Sequence, residues 1–112
     1  MGYELHITRR DDWADDDGPS ITLEEWVKYV ASDPEMKADA ENPTPDNAIY
    51  LGPTEEWPFW WVKRGEIQTK NSTPEVIAKM VAIARSLGAR VQGDDGEVYG
   101  LDPTDPTRSR DV

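Results

Sequence analysis

The chain has 112 residues, with 23 carboxylates against 12 basic side chains, a formal net charge of −11. That balance repels nucleic acid and favours a cationic protein partner. No cysteine is present, which excludes a disulfide framework and thiolate metal sites, and no run of ~20 apolar residues could span a bilayer.

The length fits one domain with a single core, assigned to residues 1–100, followed by a loosely ordered Asp/Pro-containing tail at 101–112. Residues 3–9 alternate: Tyr3, Leu5 and Ile7 face one way, Glu4, His6 and Thr8 the other, as in a half-buried strand. An aspartate-rich loop follows and closes at Gly18-Pro19. Thr22 with Glu25 three residues on forms a capping-box pattern, and Leu23, Trp26, Val27 and Val30 make one helical stripe. Pro34 predicts that this helix stops near Asp33.

Residues 35–46, polar and holding Pro43 and Pro45, read as an exposed loop, and 48–51 as a short strand broken by Gly52 and Pro53. Residues 57–63 and 66–70 form a predicted hairpin around Arg64-Gly65. In its first strand Trp57, Phe59 and Trp61 share one face, and Pro58, Trp60 and Val62 the other. Such a strand is either covered on both sides or presents an aromatic surface. After a turn at 71–74, Thr73, Pro74 and Glu75 open a second helix with Ile77, Met80, Val81, Ala84 and Leu87 buried and Gly88 as its stop. A last hairpin, 89–92 with 97–99, turns at Gly93-Asp94-Asp95-Gly96. The order predicts an α+β fold: two amphipathic helices on a mainly antiparallel sheet.

His6 is the single histidine. Beside Glu4 it is a candidate pocket residue or general base; the alternative is a hydrogen-bonded strand histidine. No triad and no second histidine for a zinc site accompany it. Asp11, Asp12, Asp15, Asp16 and Asp17 invite comparison with a calcium loop. The register fails, because Trp13 falls where the first carboxylate must stand. Asp94, Asp95 and Glu97 are explained by their turn. No metal and no cofactor is therefore assigned. The candidate binding residues are these two acidic groups together with Trp57, Trp60 and Trp61 as apolar anchors.

The segments Tyr3-Glu4-Leu5-His6-Ile7-Thr8-Arg9 and Lys79-Met80 through Leu87-Gly88-Ala89-Arg90-Val91-Gln92-Gly93-Asp94-Asp95-Gly96-Glu97-Val98-Tyr99 look like those of a group of small, mostly uncharacterised bacterial cytoplasmic proteins. That resemblance spans residues 3–99 and implies no catalytic residues. In size and acidity the chain is similar, by analogy, to immunity proteins of bacterial toxin systems. The expected function is a non-enzymatic, cytoplasmic binding protein, an immunity-type inhibitor of a basic toxin domain. The alternatives are a carbohydrate-like ligand binder or small enzyme using His6 near the tryptophans, and a homodimeric structural protein. Neither nucleic acid nor a membrane is an expected partner.

Overall fold

Residues 3–52, 55–70, 73–100, 105 and 109–110 are described in a computed structural model. The elements are β1 (Glu4–Thr8), α1 (Leu23–Ser32), β2 (Met36–Ala38), β3 (Asn47–Leu51), β4 (Glu56–Val62), β5 (Glu66–Lys70), α2 (Pro74–Ser86), β6 (Arg90–Gly93), β7 (Val98–Tyr99) and β8 (Ser109–Arg110). The strands form one sheet in the order β2-β3-β4-β5-β1-β6-β7-β8. Every pairing in it is antiparallel. The fold is α+β, as the sequence predicts.

Local chemistry sets the helix ends. Thr22 accepts from the Glu25 N–H at 3.1 Å, and the Glu25 carboxylate accepts from the Thr22 N–H at 3.1 Å, closing the capping box. Arg9 also grips Glu25, and its hydrogen bond with those at Thr22 holds the carboxyl down at about 2. Pro34 sits just beyond the C-cap Asp33. Thr73 occupies the N-cap of α2, although its hydroxyl makes no capping bond. At the other end Gly88 has φ 63°, the Ala89 N–H reaches the Ala84 carbonyl at 2.8 Å, and the Gly88 N–H that of Arg85 at 3.4 Å, a Schellman motif.

The core gathers residues of a single strand parity: Leu5, Ile7, Ala48, Tyr50, Phe59, Ile67 and Val91. It joins them to Trp26 of α1 and Met80 and Ile83 of α2. Both helices therefore cover the same face of the sheet. Leu5 and Ile7 of the central strand are fully buried there.

Two segments differ from expectation. Residues 36–38, within the predicted 35–46 loop, form the edge strand β2, whose pairing is provided by β3 rather than by its own propensity. In the segment read as a tail, Ser109–Arg110 pairs with β7. The expected break at Pro53, the turn residues 71–72 and most of 101–112 lie outside the described residues.

Candidate functional site

Strand alternation places Leu5 and Ile7 under the helices, so Glu4, His6 and Thr8 must emerge on the opposite face. Cross-strand register extends that face into a row. Asn47 lies opposite Trp60, Trp60 opposite Gln68, Gln68 opposite His6, and His6 opposite Gln92. Among the described residues, no helix covers this row. It is nevertheless buried at its centre: His6 is 1% and Gln92 2% exposed.

The cover over His6 is the acidic loop after β1. That loop folds back so that the Trp13 indole stacks on the His6 imidazole, with centroids 3.9 Å apart and planes 6° from parallel. Three side chains fasten the loop by its backbone. Gln92 accepts from the Trp13 N–H at 2.7 Å and donates to the Asp11 carbonyl at 2.9 Å. Arg64 donates to the carbonyls of Trp13 at 2.6 Å and Asp15 at 2.8 Å. Arg10 donates to the Asp15 and Arg64 carbonyls at 2.9 and 2.8 Å. The loop backbone is thereby held while Asp12, Asp15, Asp16 and Asp17 stay exposed to water.

Both nitrogens of His6 are engaged. Nδ1 is hydrogen-bonded to the buried Glu66 carboxylate, and Nε2 lies 2.8 Å from Asp94 Oδ1. Burial opposes a charge on the ring, but the two carboxylates outweigh it and raise the pKa above the ordinary value. Glu66 also meets Arg64, Nε to Oε1 at 2.9 Å, in a pairing not aligned as a hydrogen bond. Gln68 adds a bond to Glu66 at 3.2 Å. An imidazole clamped between carboxylates and capped by an indole has no free nitrogen to abstract a proton. The arrangement is that of a hydrogen-bonded strand histidine. The space beside His6 is filled by Trp13, a residue the sequence does not link to His6.

The second acidic group is turned inward for the most part. Asp94 binds His6 and accepts from the Glu4 N–H at 2.8 Å, and Glu97 accepts from the Tyr3 hydroxyl. Burial and Glu97 together push that phenol above its ordinary range. Asp95 remains exposed. Among the described residues, no group of three or more His, Cys, Asp or Glu side chains is placed to hold a metal ion, and no helix is long and apolar enough to cross a membrane.

The tryptophans of β4 divide between the faces. Trp57 and Trp61 pack against the core, with their indole N–H groups donating to Thr69 Oγ1 and the Ile21 carbonyl, each at 2.8 Å. Trp60 emerges on the uncovered face, half-buried, its indole N–H on Gln68 Oε1 at 3.2 Å. Beside it on that face are Pro58, Val62 and, through β3, Ile49 and Leu51, the last 39% exposed. Trp60 of this apolar strip lies in the same cross-strand row as His6, two strands from the Trp13 stack. The structure therefore brings together Trp60 and the Asp11–Asp17 loop on one face, where Asp94 is bound to His6, turns Trp57 and Trp61 to the other face, and ties Glu97 to Tyr3. Arg64 and Gln92, which hold the loop, carry no signal in the sequence, because their partners are backbone atoms many residues away. No family profile, curated protein or solved structure matches this chain.

Proposed function

We propose that the protein is a non-enzymatic binding protein for a cationic protein partner, with the uncovered face of the sheet as its docking surface. The observation that carries this reading is the position of Trp60 and its apolar neighbours on the helix-free face, beside a fastened loop of exposed aspartates. Between residues 11 and 46 the chain holds twelve carboxylates and two lysines, a net charge of −10, nearly the whole of its excess. Of these, the five aspartates between residues 11 and 17 flank the sheet face and steer a basic protein toward it, and Trp60 supplies a desolvated anchor. The most concrete form of this activity is an immunity-type inhibitor that occupies the active site or substrate path of a basic toxin domain. Size and acidity support that form by analogy.

The test is recovery of partners from the native host at low salt, repeated with Trp60→Ala and with Asp15, Asp16 and Asp17 together changed to Asn. A basic partner should be retained by the parent chain. It should be weakened about 30-fold by loss of an anchor tryptophan, and it should be released by salt in proportion to its charge. A neutral or acidic partner, or equal retention by the triple Asn variant, would overturn the reading. Light scattering supplies a further check, since a stable dimer closed over Trp60 would make the strip a self-association face.

A further inference from the structure

A second surface lies at the edge of the sheet, away from Trp60. We propose that the groove between α1 and β2 receives an extended, basic-flanked apolar segment of the partner, added to β2 as a further antiparallel or parallel strand. This rests on the reading of the protein as a binder of cationic proteins, and names how one element of the partner would dock.

Three observations carry it. The first is the free edge. β2 ends the sheet. The Leu51 N–H donates to the Glu35 carbonyl at 2.7 Å, and the register continues through Met36↔Tyr50, Lys37↔Ile49 and Ala38↔Ala48. Glu35 and Lys37 therefore turn their backbone groups toward β3, and Met36 and Ala38 turn theirs outward, where the Met36 N–H already donates to the Asp33 carbonyl at 3.0 Å and leaves the Met36 carbonyl and the Ala38 N–H and carbonyl along the edge. These outward groups are a short template for strand addition. The second is the cavity. A groove of about 540 Å³ runs beside that edge, walled by Val27, Val30 and Ala31 of α1, by Pro34, and by Met36 and Ala38. Val27 is 41% exposed at its lip. Alternate side chains of an added strand would enter it on the helix side, where the core face of the sheet continues.

The third is charge. Residues 33–46 hold five carboxylates and one lysine, Lys37, which is already paired with Glu56 at 2.9 Å; Lys79 pairs with Asp33 and Glu35, which leaves Asp39, Glu41 and Asp46 as the acidic rim. Lysines or arginines flanking an apolar segment meet this rim favourably, and acidic flanks are repelled. The same rim opposes a second copy of the chain, which would bring another net −11 to it. Position of the groove is fixed from below: Lys79 of α2 ties Asp33 and Glu35 at 2.7 and 2.6 Å, and lies 5.5 Å from the centre of the Tyr50 ring.

The experiment uses the full chain, isotope-labelled, titrated at low salt with the synthetic peptide Lys-Lys-Leu-Thr-Leu-Thr-Leu-Lys-Lys. Expected are amide shifts at Val27, Ala31 and Ala38. Affinity should fall about tenfold when the peptide's ladder-forming amides are N-methylated, and about tenfold again when its lysines are replaced by glutamates. Val27→Lys, at an exposed position that leaves the core intact, should weaken the parent peptide to a similar degree. Equal binding of the N-methylated peptide, or shifts confined to the Asp11–Asp17 loop and Trp60, would overturn the groove as the site while leaving the cationic-partner reading standing. Absence of any shift with this peptide and with polylysine would overturn both. Shifts at the same amides on raising the protein concentration alone would show a second copy as the occupant, and would overturn the assignment to a partner.

Discussion

The two faces of this sheet are stabilised by different physics. Under the helices the contacts are apolar and close-packed: Trp26, Phe59, Ile67 and Met80 are all fully buried. On the other face polar residues are buried, His6, Glu66 and Gln92, beneath a loop rather than a helix. The first face depends on volume, and is tolerant of hydrophobic exchange if volume is kept. The second depends on hydrogen bonds and charge pairing, so the loss of a principal partner is felt at once. A chain this acidic uses the second kind of cover to hold a loop of aspartates against its own sheet.

The contrast can be broken at its strongest point first. Trp26→Ala should cost about 3–5 kcal/mol, because it leaves a large cavity between α1 and the sheet and removes the hydrogen bond to the Asp46 carbonyl. Denaturant unfolding measures it, and both faces should be lost together. His6→Leu should cost about 3 kcal/mol near pH 6, since it leaves the Glu66 carboxylate buried without its principal partner.

That second effect carries a pH signature which the apolar face lacks. The folded-state pKa of His6 is raised, so its contribution is complete below the ordinary value of 6.5 and disappears as pH climbs through the folded value. The stability difference between the parent chain and His6→Leu should therefore shrink on going from pH 6 into the alkaline range. The difference for Trp26→Ala should stay flat. A His6→Leu difference independent of pH would remove the charged imidazole from the account of this face.

Smaller effects sharpen the comparison. Trp13→Ala should cost about 1–2 kcal/mol, the worth of a stacked ring and its burial. Amide exchange should then quicken in residues 11–17 while the helices remain protected, because the loop opens locally. Trp60→Ala should shift stability by less than about 1 kcal/mol, since the indole is half-buried and its face uncovered. A larger loss would place Trp60 with the core rather than with the docking strip.

Much of the helix-covered face is legible in the sequence, for reasons that are local. The Thr22–Glu25 box, the Pro74 start and the Gly88 stop are written within a few residues of the positions they control. Alternation in β1 announces which residues go inside, and the doubly apolar pattern of β4 is resolved by placing Trp57, Phe59 and Trp61 inward and Trp60 outward. The opposite face is far less legible. Glu66 reads as an ordinary strand carboxylate until β5 is set beside β1, and Trp13 reads as an interruption among aspartates until Gln92 and Arg64 bind its backbone. β2 is hard to see for a related reason: Met36, Lys37 and Ala38 alternate over too few residues to stand out from the polar stretch around them, and they become a strand because β3 offers a ladder. The groove beside it follows from that pairing, and no motif could have signalled it.

The central position of β1 also bears on how the molecule assembles. His6 meets Glu66 across 60 residues of sequence and Asp94 across 88. Its strand lies between β5 and β6, neither of which adjoins it in the chain. Closing loops of that length is entropically costly before any contact rewards it, which slows folding relative to helical domains of the same size. During synthesis the β3–β4–β5 meander can pair as soon as it emerges, whereas β1 must wait until residues well past the middle of the chain are available on one side, and those near 90 on the other. Until then Leu5 and Ile7 stand exposed, and the aspartates that follow them are charged flanks of the kind that disfavour pairing of such a strand with the wrong neighbour.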